Sequence, residues 1–393
     1  MTLHEITATV MRPAPSSWLR ITAIACACSA PALGLAVEHV ATARESTGSG
    51  PAWYEEMELA VVALGAIQAT AGADDSSPEG DVTDALAKAY IELAAPVGER
   101  GEVFLFLESG TGGGIDEEVP TWTGFFDEAD DDDRVRLGEA WYEHRLLDDR
   151  ARVRVGRIDS TVTLDASPYA GDGVGQFAST AFVLNHAIPY PDYGFGVAGW
   201  FRLQEAPITF GVQVVDGEGD NENVVDDAFV MVECVWQAEP GGRPGTYGIH
   251  AWYSGVDRPV FGEPGENDPA FGVGLGIDQE VRDDIGLWLR YGLADPSVSQ
   301  IAHALSFGAS IDTAVAAAQG EVLGLGYALT LPSDDYTDAV GDRDPEHHVE
   351  VYWRWDLGNG LAVTPDLQYV LDPAGDPDAD GVAAFILRGE VSF

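Results

Sequence analysis

Polarity alternates position by position in segments of about ten residues along most of the chain, a period of two that belongs to extended strands and not to helices. The last segment shows it most plainly. Ala383, Phe385, Leu387, Gly389, Val391 and Phe393 share one face, and Ile386, Arg388, Glu390 and Ser392 share the other. The same split sets Val349, Val351, Trp353 and Trp355 against His348, Glu350, Tyr352, Arg354 and Asp356, and Ile285, Leu287, Leu289 and Tyr291 against Trp288 and Arg290. A soluble sandwich could hold one such strand. It would not place Arg, Glu and Asp together on the buried face of several, because burying an unpaired ion costs too much. The apolar faces therefore predict contact with hydrocarbon, and the polar faces a wet lumen.

Strands are predicted at 57–70, 84–95, 102–109, 136–147, 151–159, 195–204, 207–215, 226–238, 245–253, 271–281, 284–292, 300–311, 320–331, 346–357, 361–371 and 381–393. After residue 44 no apolar run reaches the roughly 18 residues that a membrane-crossing helix needs. A membrane-spanning chain of this kind must then be a closed barrel, in which every backbone amide has a partner. The expected fold is all-β, a transmembrane up-and-down antiparallel β-barrel of about 16 strands. Connections alternate between long (71–83, 110–135, 160–194) and short (96–101, 148–150, 205–206), and this rhythm is expected to continue to the end. Tight turns are predicted at Asp148-Asp149-Arg150 and Gly358-Asn359-Gly360, where Asn and Gly accept positive φ. The third long loop, 160–194, carries Tyr169, Phe177, Phe182, Tyr190 and Tyr193. Those aromatics predict a loop folded into the barrel, where it would narrow the pore; a cap over the rim is the alternative.

Composition adds the N-terminal region and the charge. Arg12 and Arg20 precede the apolar, small-residue run from Ile21 to Ala36, so residues 1–43 read as a signal peptide, 44–56 as a short linker and 57–393 as the barrel domain. Cys26 and Cys28 fall in the leader, which leaves Cys234 alone and rules out an intrachain disulfide in the mature chain. The net charge of −46 excludes nucleic acid as a natural partner. Acidic residues gather in the connections, at Asp74-Asp75, Asp127 to Asp133, Asp216 to Asp227 and Asp372 to Asp380, as solvated loops would carry them. Asp376-x-Asp378-x-Asp380-Gly381 imitates the start of a calcium loop, but Leu387 stands where a bidentate Glu belongs. No metal or cofactor is expected, and no nucleophile motif or phosphate-binding loop points to catalysis.

Several short motifs resemble the carbohydrate-selective porins of the OprB type. They are Phe125-Phe126-Asp127, Glu139-Ala140-Trp141-Tyr142-Glu143, Val155-Gly156-Arg157-Ile158-Asp159, Ala181-Phe182-Val183-Leu184-Asn185 continuing through Pro189-Tyr190-Pro191-Asp192-Tyr193-Gly194, and Thr364-Pro365-Asp366-Leu367-Gln368-Tyr369-Val370 with the terminal Phe393. The resemblance implies a sixteen-stranded barrel in the bacterial outer membrane that lets sugars and other small hydrophilic solutes diffuse passively through a constriction. The chain departs from it in its acidity and its scarcity of lysine. A general or cation-preferring porin, and a plugged structural or adhesive surface barrel, are the alternatives. Outer-membrane lipid and lipopolysaccharide would surround the barrel, as a homotrimer or a monomer.

The residues themselves point the same way. Glu139, Trp141, Glu143 and Arg145 share a face of one strand, and Arg152 and Arg154 lie on the polar face of the next, with Arg157 near its end. Carboxylates facing guanidiniums across a narrow lumen would set up a transverse field and offer partners to hydroxyls. Trp141 or Tyr169 could stack on a sugar ring. Tyr190 and Asp192 of the long loop complete the expected constriction. The plainer reading is that these charges pair with each other and only keep the wall satisfied.

Overall fold

Alternation of the kind seen in the sequence becomes structure only when each strand finds two neighbours, and here all of them do. The computed structural model describes residues 57–393 apart from 74, 75, 78, 79, 130–133, 221, 223 and 314–319, so the expected leader and linker lie outside the described residues. The described residues form sixteen strands: β1 (Glu58–Ala71), β2 (Thr83–Val97), β3 (Gly101–Thr111), β4 (Val135–Leu146), β5 (Ala151–Ile158), β6 (Gly194–Arg202), β7 (Ile208–Asp216), β8 (Ala228–Ala238), β9 (Gly245–Pro259), β10 (Asn267–Arg282), β11 (Ile285–Ala294), β12 (Ile301–Asp312), β13 (Glu321–Pro332), β14 (Glu346–Gly358), β15 (Leu361–Leu371) and β16 (Val382–Ser392). Each pairs antiparallel with its sequence neighbours, and β1 pairs with β16 from Val62 opposite Ser392 to Ala71 opposite Ala383. Phe393 and Val61 exchange two backbone hydrogen bonds, 2.9 and 3.2 Å, that complete the seam. The expected up-and-down barrel is what the chain forms.

Faces divide as the sequence pattern requires. Phe385, Leu387, Leu367, Tyr369, Val349, Trp353, Leu287 and Phe307 are exposed on the outside. Opposite them, Arg388, Gln368, His348, Glu350 and Arg290 are buried inside. The predicted turns hold: Asp148, Asp149, Gly358, Asn359 and Gly360 all take positive φ. At Gly360 the need is steric as well, because a Cβ would fall 2.0 Å from the Ser392 carbonyl oxygen.

Three details differ from the sequence reading. Strands β9 and β10 run beyond their predicted ends, paired as far as Pro259 opposite Asn267 past a register shift; the polar Asp257, Arg258, Asn267 and Asp268 had masked this extension. The rhythm of connections breaks, because 295–300 on the long-loop rim is shorter than 313–320 on the opposite one. Residues Asp334–Val340 form a short helix, α1, whose N-cap Ser333 accepts from the Tyr336 amide at 2.9 Å.

An outward position near the middle of β16 tests this orientation. Leu387→Arg should lower barrel stability in lipid by about 2–4 kcal/mol, the cost of a guanidinium near the bilayer midplane. Urea unfolding in vesicles measures it, and an unchanged midpoint would mean that this face does not meet hydrocarbon.

Candidate functional site: a lumen narrowed by two loops

Backbone that enters a barrel must exchange water for protein partners. The third long loop, residues 159–193, does so through two arginines of the inner wall. Arg388 donates to the carbonyl oxygens of Gly173 (2.8 Å), Val174 (3.2 Å) and Gln176 (2.6 Å), and to Asp366 at 3.2 Å. Arg290 donates to the carbonyls of Ala170, Phe182 (2.6 Å) and Asp165 (3.3 Å). Five N–H donors in a fixed fork suit a guanidinium to gather several carbonyls at once. Glu350 supplies the complementary acceptor, taking the amides of Ala178 at 2.5 Å and Ser179 at 3.0 Å. Phe177 and Phe182 then pack with Trp288 and Tyr352 of the wall, with ring centroids 4.9–6.1 Å apart. The inward fold predicted for this loop is therefore what the chain adopts.

The second long loop also turns inward over its described residues 112–129, which the sequence reading did not foresee. Ile115, Val119, Phe125 and Phe126 are buried with Leu64, Tyr90 and Ile386 of the wall. Glu346 accepts from the amides of Trp122 (2.8 Å) and Thr123 (3.1 Å), and Gln68 from that of Ile115 at 3.0 Å. Within the loop, Asp116 accepts from the Phe125 and Phe126 amides at 2.5 and 3.0 Å. Burial pushes that carboxyl up to about 6 against the opposing pull of those two amides. The Asp127 amide, bonded to the Ala178 carbonyl at 2.7 Å, ties one loop to the other.

On the β3–β6 wall a row of stacked groups carries several of the predicted residues. Phe104 stacks on Trp141 with centroids 4.9 Å apart, and Arg154 lies 3.8 Å over the Trp141 ring. Phe104 comes from β3 and Arg154 from β5, on either side of β4, so Trp141 is sandwiched and has no face left for a sugar ring. Arg152 in turn lies 4.5 Å over Trp200 of β6. Glu143 faces both guanidiniums, 3.7 Å from Arg152 and 3.2 Å from Arg154. Opposite Trp141 stands Gly156 with φ +145°, where a Cβ would meet the Ala140 carbonyl oxygen at 2.2 Å. Only glycine lets β5 close on β4 there.

The other predicted residues are dispersed. Glu139 accepts from Trp141 Nε1 at 3.0 Å and from the Asp159 amide at 3.2 Å, which ties the start of the loop to the wall. Arg145 is 41% exposed at the short-turn rim, beside Asp149. Arg157 shares the outward face with Val153 and Val155, and its Nε donates to the carbonyls of Leu137 and Gly138 at 3.1 Å. Tyr169 crosses to the far wall and rests on Gly286. Tyr190 is enclosed beside Phe229, and Asp192, 54% exposed, meets Arg136 at 2.9 Å.

Sequence reasoning missed Phe104, Trp200, Lys88, Glu108, Glu128 and Arg136, all grouped along β2–β6 or facing it. Lys88, Tyr90 and Glu92 share one face of β2, and that alternation was a usable signal. Arg136 had none: a register shift beside Gly138 places it opposite Glu108 and Glu139 opposite Phe106, so both point inward although three residues apart. Glu92, Glu102, Asp127, Arg136, Arg152, Asp159 and Asp172 of this region all keep some contact with solvent.

If the arginine anchors hold the third loop, Arg388→Met should cost about 3–5 kcal/mol, because it leaves Asp366 unpaired and three carbonyls without their donor. Equilibrium unfolding together with limited proteolysis near Gly173 would report both the loss and its place. Unchanged stability and an equally protected loop would count against the anchoring role.

Comparison with known proteins was consistent with this geometry. The family model for carbohydrate-selective porins, the OprB family, matches residues 83–393. No curated protein sequence matches the chain. Among solved structures, the high-pH structure of Pseudomonas putida OprB superposes with a TM-score of 0.77 at 16% identity, covering 86% of this chain and 94% of that one. The low-pH structure of the same porin gives 0.54 at 14% identity, covering 86% and 93%. Pseudomonas aeruginosa OccK11 gives 0.51 at 12% identity, covering 86% and 96%. At such identities these likenesses speak for the fold, and the family match over most of the chain carries the assignment: this chain belongs to the OprB family of carbohydrate-selective porins, outer-membrane β-barrels that pass small solutes.

Proposed function

We propose that the chain passes uncharged sugars and other small hydrophilic solutes by diffusion along a water-filled path between the third loop and the β2–β6 wall, with no chemical step. The observation that carries this reading is the cluster of Glu143, Arg152 and Arg154. These groups stand where the opposite side of the lumen is filled by Phe177, Phe182, Trp288 and Tyr352. Guanidiniums donate to hydroxyl oxygens and the carboxylate accepts from hydroxyl protons, so a sugar can trade its water for wall partners. Trp141 and Trp200 hold the guanidiniums by cation–π contact, and Trp141, covered on both faces, does not itself stack on solute. Residues 1–43 would direct export to the outer membrane and be removed, with 44–56 as a linker. Lipid and lipopolysaccharide would meet the apolar outer face, whether the barrel is a monomer or a homotrimer.

The packing of both loops favours one rival, a plugged barrel of structural or adhesive use. Liposome swelling separates the two. Open barrels should admit monosaccharides faster than disaccharides, and Arg152→Gln with Arg154→Gln should change the sugar rates by several-fold. No swelling with any solute would leave the plugged barrel standing, and wild-type sugar rates in the double variant would remove these arginines from the path.

Acid should act on the same path. Burial and neighbouring carboxylates raise Asp127, Glu128 and Asp159 above their ordinary range. A raised carboxyl is neutral below its own titration range and negative above it, so negative charge is lost as pH falls from about 8, where Asp127 titrates, toward the ordinary carboxylate range. Reversal potentials in a salt gradient should show cation preference weakening over that interval, and a constant ratio would mean that these groups do not face the path.

A further inference from the structure

Lys88 is the single lysine of the sequence and sits on the inward face of β2. Its Nζ lies 3.9 Å from Glu108 of β3 and 3.6 Å from Glu128 of the second loop. Glu108 also pairs with Arg136 of β4 at 2.7 Å, and Arg136 reaches Asp192 at the end of the third loop at 2.9 Å. The Tyr90 hydroxyl donates to Glu128. Charges thus alternate along one row, Asp192, Arg136, Glu108, Lys88 and Glu128, which crosses three neighbouring strands and joins the two inward loops. The third loop touches the far end of the row, because a Cβ at Gly173 would stand 3.0 Å from Asp127 and 3.3 Å from Glu128 Oε1. Asp159 and Asp172 add to the negative field at that end.

This row differs in kind from the Arg152 and Arg154 cluster. There two guanidiniums share one carboxylate. Here three carboxylates share two cations, with further acids close by, so loss of either cation leaves a marked negative excess. Inside a narrow path with low-dielectric walls, a single fixed charge weighs heavily on the energy of a passing ion and little on that of a neutral sugar. Arg136 is held at the more exposed end by Asp192, whereas Lys88 occupies the enclosed middle, where screening by salt is weakest.

We propose that Lys88 is the specificity-determining residue that keeps this acidic stretch from becoming a cation filter, so that neutral solutes pass without competition from a standing layer of bound cations. The inference rests on the open path argued above. It implies that small anions and acidic sugars are disfavoured and that the balance between neutral and cationic solutes is set at this one side chain.

Planar-bilayer measurements in a potassium chloride gradient test it with three variants of the full chain. Lys88→Met should raise the cation-to-anion permeability ratio by about threefold, the size expected for one partly screened charge beside the path. Lys88→Arg should hold the wild-type ratio. Glu128→Gln should lower the ratio, and this opposite sign separates charge control from a merely structural role, since both Met and Gln break the same ion pair. An unchanged ratio in Lys88→Met, or shifts of the same sign in Lys88→Met and Glu128→Gln, would overturn the proposal while leaving the porin reading intact. Absence of conductance from the wild-type barrel would overturn the open path and this inference with it.

Discussion

A backbone amide inside a bilayer has no water to turn to, and that constraint governs the rest of the molecule. Every strand must bond on both edges, so the sheet closes, and β1 meets β16 along a continuous register that ends at Phe393. Closure fixes the orientation of each side chain by simple alternation. It also fixes a width. Sixteen strands enclose more space than their own side chains fill, so whatever narrows the lumen must come from the connections.

The loops that enter bring unpaired backbone with them, and the inner wall answers with charged side chains. Arg388, Arg290, Glu350 and Glu346 are buried because they have become partners of loop carbonyls and amides. Their position on β11, β14 and β16 assigns the inner charges of that side a supporting role. Along β2–β6 the charges pair mostly with each other, and several keep contact with water. Support on one side and solvent contact on the other follow from where the loops lie, not from any difference in residue type.

That division explains what could be read in advance. Alternation in β11, β14 and β16 was legible because it needs only one strand at a time. The inward course of the third loop was legible from Phe177 and Phe182, which solvent would not keep. The second loop was hidden because Phe125 and Phe126 precede an acidic run typical of a solvated connection. Roles that depend on a neighbouring strand were also hidden: Trp141 looked like a platform until Phe104 and Arg154 covered it. Arg157 falls on the outward face with Val153 and Val155, as alternation along β5 requires, whereas Arg136 is turned inward by a shift of register beside Gly138 that no single-strand pattern records.

Accessibility of the two sides of the lumen tests the central claim most directly. Single cysteines placed at Glu92 and Asp172, and at Met231, buried on β8, and Tyr352, in a Cys234→Ala background can be exposed to a small charged thiol reagent in reconstituted membranes. The first pair should react quickly and reduce ion flow when modified, and the second pair should stay protected until the barrel is unfolded. Rapid labelling at Met231 and Tyr352 with protection at Glu92 and Asp172 would put the water on the opposite side and contradict the account.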